Sequence, residues 1–363
     1  MKNIFVNDDQ RMEKRHHEDH HHHYKKKILF VLKRRNYGYG PSFGLINSVK
    51  FVCEALKQHK IDYKISIVTD ANGIDKEVHD FKPNFVFLEA LFVTPTKIIE
   101  LLEKYKNKDT KWSIRIHSAV PFLQMEGIAI TWLKEYFEIS KVYKNFFISA
   151  NSQKAIKELK LGANIDLLYA PNIYLLNEIK YNKKHQTHKE INIACLGAIR
   201  PLKNILEQAC AAIGFANQNN LKLNFYVNSD RNEQNGINVL KNLEALFINT
   251  KHVLIKVPWM NHENLLKFLE RIDLGLAVSF TESFCLQAGD YINMNIPIVT
   301  SKEITFVSRC YQAEPTDIED IINKLNYAWE IKRLGFNNSN KRLLEKHNKI
   351  AIKAWLDLFR CKM

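Results

Sequence analysis

The stretch SFTESFCLQAGDYINMNIPIVTS (279–301) carries two carboxylates eight residues apart, Glu282 and Asp290. The apolar run DLGLAVSF before it reads as a buried strand that stops at Thr281. A helix is expected to open at once, with Glu282 in its first turn. In an open parallel sheet, ligands sit beyond the carboxyl ends of the strands. Such a helix start offers free N–H groups at Ser283, Phe284, Cys285 and Leu286, and the positive end of the macrodipole, which suits a diphosphate. Eight residues at ~100° each return Asp290 to nearly the same helix face, two turns on. One carboxylate could then meet a sugar at the strand tip and the other a ribose. A plainer reading is also open, in which Glu282 complements the helix dipole and Asp290 is a solvated polar residue.

Three further groups of residues could do chemistry. RRNYGYGPSFG (34–44) follows the first apolar run and opens a helix, and its Gly38, Gly40 and Gly44 nearly spell a dinucleotide fingerprint. Their spacing misses it, so no nicotinamide cofactor is inferred, but such a loop lets backbone approach a phosphate or an acceptor. IRIHS (114–118) puts His117 at a strand end, where a ligand-facing role and a structural one are both open. The tract HHEDHHHH (16–23) invites adventitious metal, but nothing there fixes ligands in space, so no metal site is expected.

These residues need a scaffold, and the pattern supplies one. Apolar runs at 26–33, 62–69, 84–91, 111–118, 145–151 and 165–173 read as strands. Helical spacing occupies 43–60, 96–106, a stretch near 123–137, and 152–160. A polar, aperiodic segment (177–190) reads as a linker. The alternation then restarts, with strands at 191–199, 221–229, 252–259, 274–280 and 296–301 and helices between them. Two helical stretches close the chain, near 316–334 and 340–360. Strands separated by single helices imply parallel pairing with right-handed crossovers. The expectation is an α/β chain: a disordered tail (1–26), a Rossmann-like domain (27–176), the linker, a second Rossmann-like domain (191–335) and a final helix (336–363).

The second half resembles the retaining glycosyltransferases of family 4, which have the GT-B fold. The resemblance rests on Glu282, seven intervening residues, an acidic Asp290 and the strand NIPIVTS, with Asn295 where the family has glycine and Asp290 where it usually has glutamate. CLGAIRPLKN (195–204) resembles the family's phosphate-binding turn, with Lys203 six residues after Gly197. The family's arginine position holds Ala198, and Arg200 is the substitute. The resemblance implies a nucleotide-sugar donor bound by Gly197, Arg200, Lys203, residues 283–286 and Asp290, with Glu282 positioning the donor sugar. It also implies His117 near that sugar, a Gly-rich acceptor loop, a last helix that crosses back onto the first domain, and transfer to a hydroxyl with retention. No metal or other cofactor is required by it. Trp259 and His262 read as structural or base-lining.

Composition sets outer limits. The 363 residues suffice for two domains, and 46% hydrophobic content supports a core without disulfides. Six scattered cysteines argue against a zinc or disulfide framework and suit a reducing compartment. No apolar run approaches the roughly 18 residues of a membrane helix, and the polar start shows no signal peptide, so a cytoplasmic protein is expected. A net charge of +14 admits DNA as an acceptor beside a saccharide, but the basic residues are dispersed. The rival functions are a sugar-nucleotide epimerase of the same fold and a non-catalytic sugar- or nucleic-acid-binding protein.

Overall fold

The computed structural model describes residues 25–35, 43–177, 189–335 and 338–363. The His-rich tract, Gly38, Gly40 and most of the expected linker lie outside the described residues. The first sheet holds β1 (Lys27–Lys33), β2 (Asp62–Val68), β3 (Phe85–Glu89), β4 (Lys111–Ile116), β5 (Phe146–Ala150) and β6 (Leu168–Tyr169), in the order β2-β1-β3-β4-β5-β6. The second holds β7 (Glu190–Ala194), β8 (Lys222–Asn228), β9 (Val253–Val257), β10 (Leu274–Ala277) and β11 (Ile298–Thr300), in the order β11-β10-β7-β8-β9. All pairings are parallel.

Strands covered on both faces are largely apolar, and β3 and β5 are buried at every residue, Glu89 and Ser149 included. Period two then sorts their side chains. Ile28, Phe30, Phe85 and Phe87 enter one core, while Leu29, Val31, Val86 and Leu88 enter the core on the opposite face. In the first half the connecting helices are α1 (Phe43–Lys57), α2 (Ile74–Phe81), α3 (Pro95–Lys104), α4 (Val120–Leu123), α5 (Ala129–Val142) and α6 (Gln153–Ala163). Side-chain caps start α3 and α6: Thr94 and Ser152 accept from the N–H groups of Lys97 and Ala155. The second half adds α7 (Ile205–Gln218), α8 (Gly236–Phe247), α9 (His262–Leu269), α10 (Leu286–Asn293), α11 (Ile318–Arg333) and α12 (Asn340–Cys361).

The crossing helix is α12. Its Leu344 lies in the core of the second sheet, and its Trp355 lies in that of the first. The Trp355 indole N–H donates to the Pro171 carbonyl at 2.7 Å. Asn348 bonds the backbone N–H and C=O of Tyr174 at 3.1 and 2.6 Å, which fastens the chain segment that passes between the sheets.

Several expectations need correction. Helix α2 was not anticipated, because only Ile74 and Val78 of its eight residues are buried. The helix expected near 123–137 is two helices, α4 and α5, separated by Gln124–Ile128. The expected strands at 274–280 and 296–301 shorten to β10 and β11. Most important, the helix after β10 begins only at Leu286, with Cys285 as its N-cap. Glu282 is therefore in a connection, not in a helical turn, and it shares no helix with Asp290. Tertiary contacts hold that connection out of helical form. Ser283 reaches across to the first half, and the Phe284 ring sits 5.1 Å from Phe306 and 5.2 Å from His347.

Candidate active site

The carboxyl ends of both sheets open onto one cleft of about 610 Å³. Ala90, His117 and Asn151 reach it from the ends of β3, β4 and β5, while Gly44 and Ser48 reach it from α1. From the facing sheet, Arg200 and Lys203 follow β7, Glu233 follows β8, Trp259 follows β9 and Glu282 follows β10. Strand ends from both sheets thus meet at one place, as parallel topology favours.

On the second-sheet wall, Lys203 Nζ pairs with Glu282 Oε1 at 2.6 Å, and the Ser279 hydroxyl donates to the same oxygen at 2.9 Å. Glu282 Oε2 has no partner among the described residues. Lys203 sits in a short 3-10 turn, Pro201–Lys203, ahead of α7. The left-handed Asn204 (φ 58°) ends that turn, its side-chain amide donating to the carbonyls of Val278 and Pro315. Arg200 pairs with Glu233 at 3.0 Å and lies 4.7 Å above the Phe122 ring across the cleft. Arg231 pairs with the other oxygen of Glu233 at 2.8 Å. Burial works against the Glu233 charge, but Arg231 and Arg200 outweigh it and hold the carboxyl below its ordinary value. Four buried polar atoms on these walls have no hydrogen-bond partner among the described residues: Thr281 Oγ1, Arg200 Nε, Asn232 Oδ1 and Gln234 Oε1. Unsatisfied buried groups cost about 1–3 kcal/mol each, and a polar ligand in the cleft would relieve that cost.

Gly197 has φ +122°, and its N–H donates to Asn228 Oδ1 at 2.8 Å. A side chain there would strain the backbone and crowd Gln287, whose Nε2 would lie 3.2 Å from the new Cβ. Gln287 and Leu286 begin α10, so the free amides of that helix start adjoin Gly197 and lie slightly beyond the expected 283–286. Cys285 is buried and its thiol is pushed up to about 12, chiefly by burial, which makes it a poor nucleophile. Gly44 has open space where a Cβ would project.

Asp290 is drawn away from Glu282. Its Oδ1 accepts from the Tyr174 hydroxyl at 2.6 Å and from His262 Nε2 at 2.7 Å, at the floor of a side pocket of about 50 Å³. That hydrogen bond raises the His262 pKa above its ordinary value against the effect of burial. Gly289 makes room for Tyr174, since a Cβ there would lie 2.3 Å from its ring. The side pocket is continuous in its lining with the main cleft through Trp259, Leu286 and Gln287.

The first-sheet wall contains a network that sequence reading missed. Glu89 and Arg115 are register partners on β3 and β4, and both side chains are fully buried. Arg115 Nη1 lies 3.2 Å from each Glu89 oxygen, Nε donates to the Ala170 carbonyl at 2.9 Å, and Nη2 donates to Asn172 Oδ1 at 2.5 Å. His117 Nε2 contacts Glu89 Oε2. The available signal was a charged residue inside each of two apolar strands, NFVFLEAL and KWSIRIHS. Burial and then Arg115 push the His117 pKa below its ordinary value, so the ring is neutral at pH 7.

His252 and His347 are pushed down as well, in each case chiefly by burial. A histidine with a depressed folded pKa is charged in the unfolded chain first, so stability falls as pH drops below the ordinary ~6.5. His262 has the opposite sign, stabilising below ~6.5 and losing that contribution as pH rises through its folded value. With three histidines against one, the melting temperature is expected to fall between pH 7.5 and 5. A melting temperature that holds or rises over that range would contradict these assignments.

The two walls meet at Ser283. Its hydroxyl donates to the His117 carbonyl at 2.5 Å and accepts from Asn151 Nδ2 at 3.2 Å, and a further ion pair, Lys154–Glu303 at 2.8 Å, also links the two halves. His117, Arg200, Lys203, Glu282 and Ser283, far apart in sequence, therefore line one recess of about 60 Å³.

No protein-family model matches the sequence, and no curated protein matches it. Solved structures do. Sucrose-phosphate synthase from Thermosynechococcus elongatus is 13% identical with a TM-score of 0.68, over 93% of this chain and 98% of that one. A trehalose-6-phosphate enzyme from E. coli bound with UDP-2-fluoro glucose is 10% identical with a TM-score of 0.59, over 93% and 98%. A lipopolysaccharide outer core galactosyltransferase is 12% identical with a TM-score of 0.56, over 93% and 100%. At such identity the likeness is one of fold, and the chain has the GT-B fold: two parallel α/β sheets facing each other across a cleft.

Proposed function

We propose that the protein is a glycosyltransferase that moves a sugar from a nucleotide-sugar donor to a hydroxyl of a saccharide acceptor, with retention. The observation that carries this reading is the recess where His117 faces the Lys203–Glu282 pair, with Thr281 Oγ1 and Arg200 Nε buried and unpartnered beside it. Lys203, Arg200 and the first amides of α10 are placed to meet a diphosphate as it leaves, a preorganised electrostatic contribution. Glu282 would accept from hydroxyls of the donor sugar, and the nucleoside would extend toward Trp259 and the side pocket. Asp290 then acts on the ribose through His262 and Tyr174 rather than directly. Retention is the course described for trehalose-6-phosphate synthase, whose structure is similar to this one. Because protein cations already face the leaving group, turnover is expected to survive EDTA.

A thermal-shift titration with UDP, GDP, UDP-glucose and GDP-mannose tests the reading, since a ligand that binds only the native state raises its melting temperature. One of the nucleotide sugars should stabilise the protein and release its nucleoside diphosphate when saccharides are supplied. Absence of any shift up to millimolar ligand would reject it. Isomerised nucleotide sugar without transfer would replace it with an epimerase.

A further inference from the structure

The Glu89–Arg115 pair lies directly under His117, and its geometry decides which ring nitrogen reaches the cleft. The Arg115 guanidinium is held on three sides, by Glu89, Ala170 and Asn172, and lies 5.2 Å over the Trp355 ring, so it is fixed. Burial opposes charge on Glu89, but the Arg115 charge and the hydrogen bonds from Arg115 and His117 overcome it and hold the carboxyl below its ordinary range. A carboxylate can only accept, so the His117 Nε2 that touches it must carry the hydrogen. Arg115 Nη1, 3.3 Å from the same Nε2, offers only N–H groups and cannot change that assignment. A neutral imidazole has one N–H, so Nδ1 keeps its lone pair. Nδ1 has no partner among the described residues, and the ring lines the cleft. A buried ion pair adds little net stability over an apolar pair of the same volume, so an Arg115 held by four hydrogen bonds at a strand end suits a positioning role.

We infer that Glu89 is a positioning residue of the proposed transfer: it fixes His117 as the Nε2–H tautomer and presents Nδ1 to the cleft as a hydrogen-bond acceptor for a sugar hydroxyl. This rests on the proposed function for its substrate, but the tautomer itself does not. In Glu89→Gln the amide oxygen satisfies Arg115, and the amide N–H groups then face Nε2, which favours the reversed tautomer.

Long-range proton–nitrogen NMR of the full chain at pH 7, with the His117 signals assigned by their loss in His117→Gln, reads the tautomer. The wild type should show the Nε2–H pattern, and Glu89→Gln should lose it. An Nδ1–H pattern in the wild type overturns the inference even if the variant does not fold, and so does an unchanged pattern in a folded Glu89→Gln. With UDP-glucose as donor, Glu89→Gln should lower kcat/KM by roughly 10–100-fold. In a His117→Ala background the same change should cost less than about threefold. An equal loss in both backgrounds would make Glu89 a structural residue that does not act through His117. A wild type that turns over no nucleotide sugar counts against the proposed function and leaves the NMR result to decide the role of Glu89.

Discussion

Glu282→Gln is expected to lower turnover of the nucleotide sugar by about 10²–10³-fold, the usual cost of removing one preorganised electrostatic contact from a reacting centre. The fold should survive. A glutamine oxygen can still accept from Lys203 and Ser279, the two groups that hold Glu282 Oε1 at 2.6 and 2.9 Å. What disappears is the negative charge and the second accepting oxygen toward the donor sugar. The partner substitution separates the roles within the pair. Lys203→Met should weaken UDP by about 1.5–3 kcal/mol relative to uridine, because a charge-assisted contact to phosphate is lost and the nucleoside contact is not. Steady-state kinetics measures the first, and calorimetric titration of UDP against uridine measures the second. Full activity in Glu282→Gln would reduce this carboxylate to a structural partner of Lys203. Equal weakening of UDP and uridine would remove Lys203 from the phosphate site.

Trp355→Ala is expected to destabilise the protein by about 3–5 kcal/mol, the range for deleting a large aromatic from a packed core. The side chain is fully buried, with ring centroids of Phe87 at 5.1 Å and Phe30 at 6.0 Å. It also donates to Pro171 and underlies Arg115, so its loss reaches the Glu89–His117 wall of the cleft. Trp355→Phe keeps most of the apolar volume and should cost less, chiefly the orphaned Pro171 carbonyl. Urea denaturation of the three proteins checks the order. A change below about 1 kcal/mol in Trp355→Ala would mean that α12 is not what closes the first core, and the effect should be read domain by domain because two domains need not unfold together.

The sequence by itself determined the alternation of strands and helices, and with it two parallel sheets. Continuous apolar runs such as those of β3 and β5 fit only a sheet covered on both faces, and period two on β1 divides its side chains between two cores. These patterns are local, carried by neighbours along the chain. Parallel topology then sends strand ends to a common edge, which marks Glu282 and His117, while Lys203 and Arg200 are legible only through the resemblance of CLGAIRPLKN to a phosphate-binding turn.

Only the tertiary structure decided how those groups pair. Asp290 sits eight residues from Glu282, and local geometry alone would set them on one helix face. Residues 281–285 are instead held out of helical form by Ser283 against the His117 carbonyl and by Phe284 against Phe306 and His347. Asp290 turns to Tyr174, 116 residues distant, and Glu89 to Arg115, 26 residues distant. A buried polar group takes whichever partner packing brings within hydrogen-bond reach, because leaving it unpaired costs more than local helix propensity can return. That choice depends on the docking of distant strands and of α12, and no window of sequence contains it.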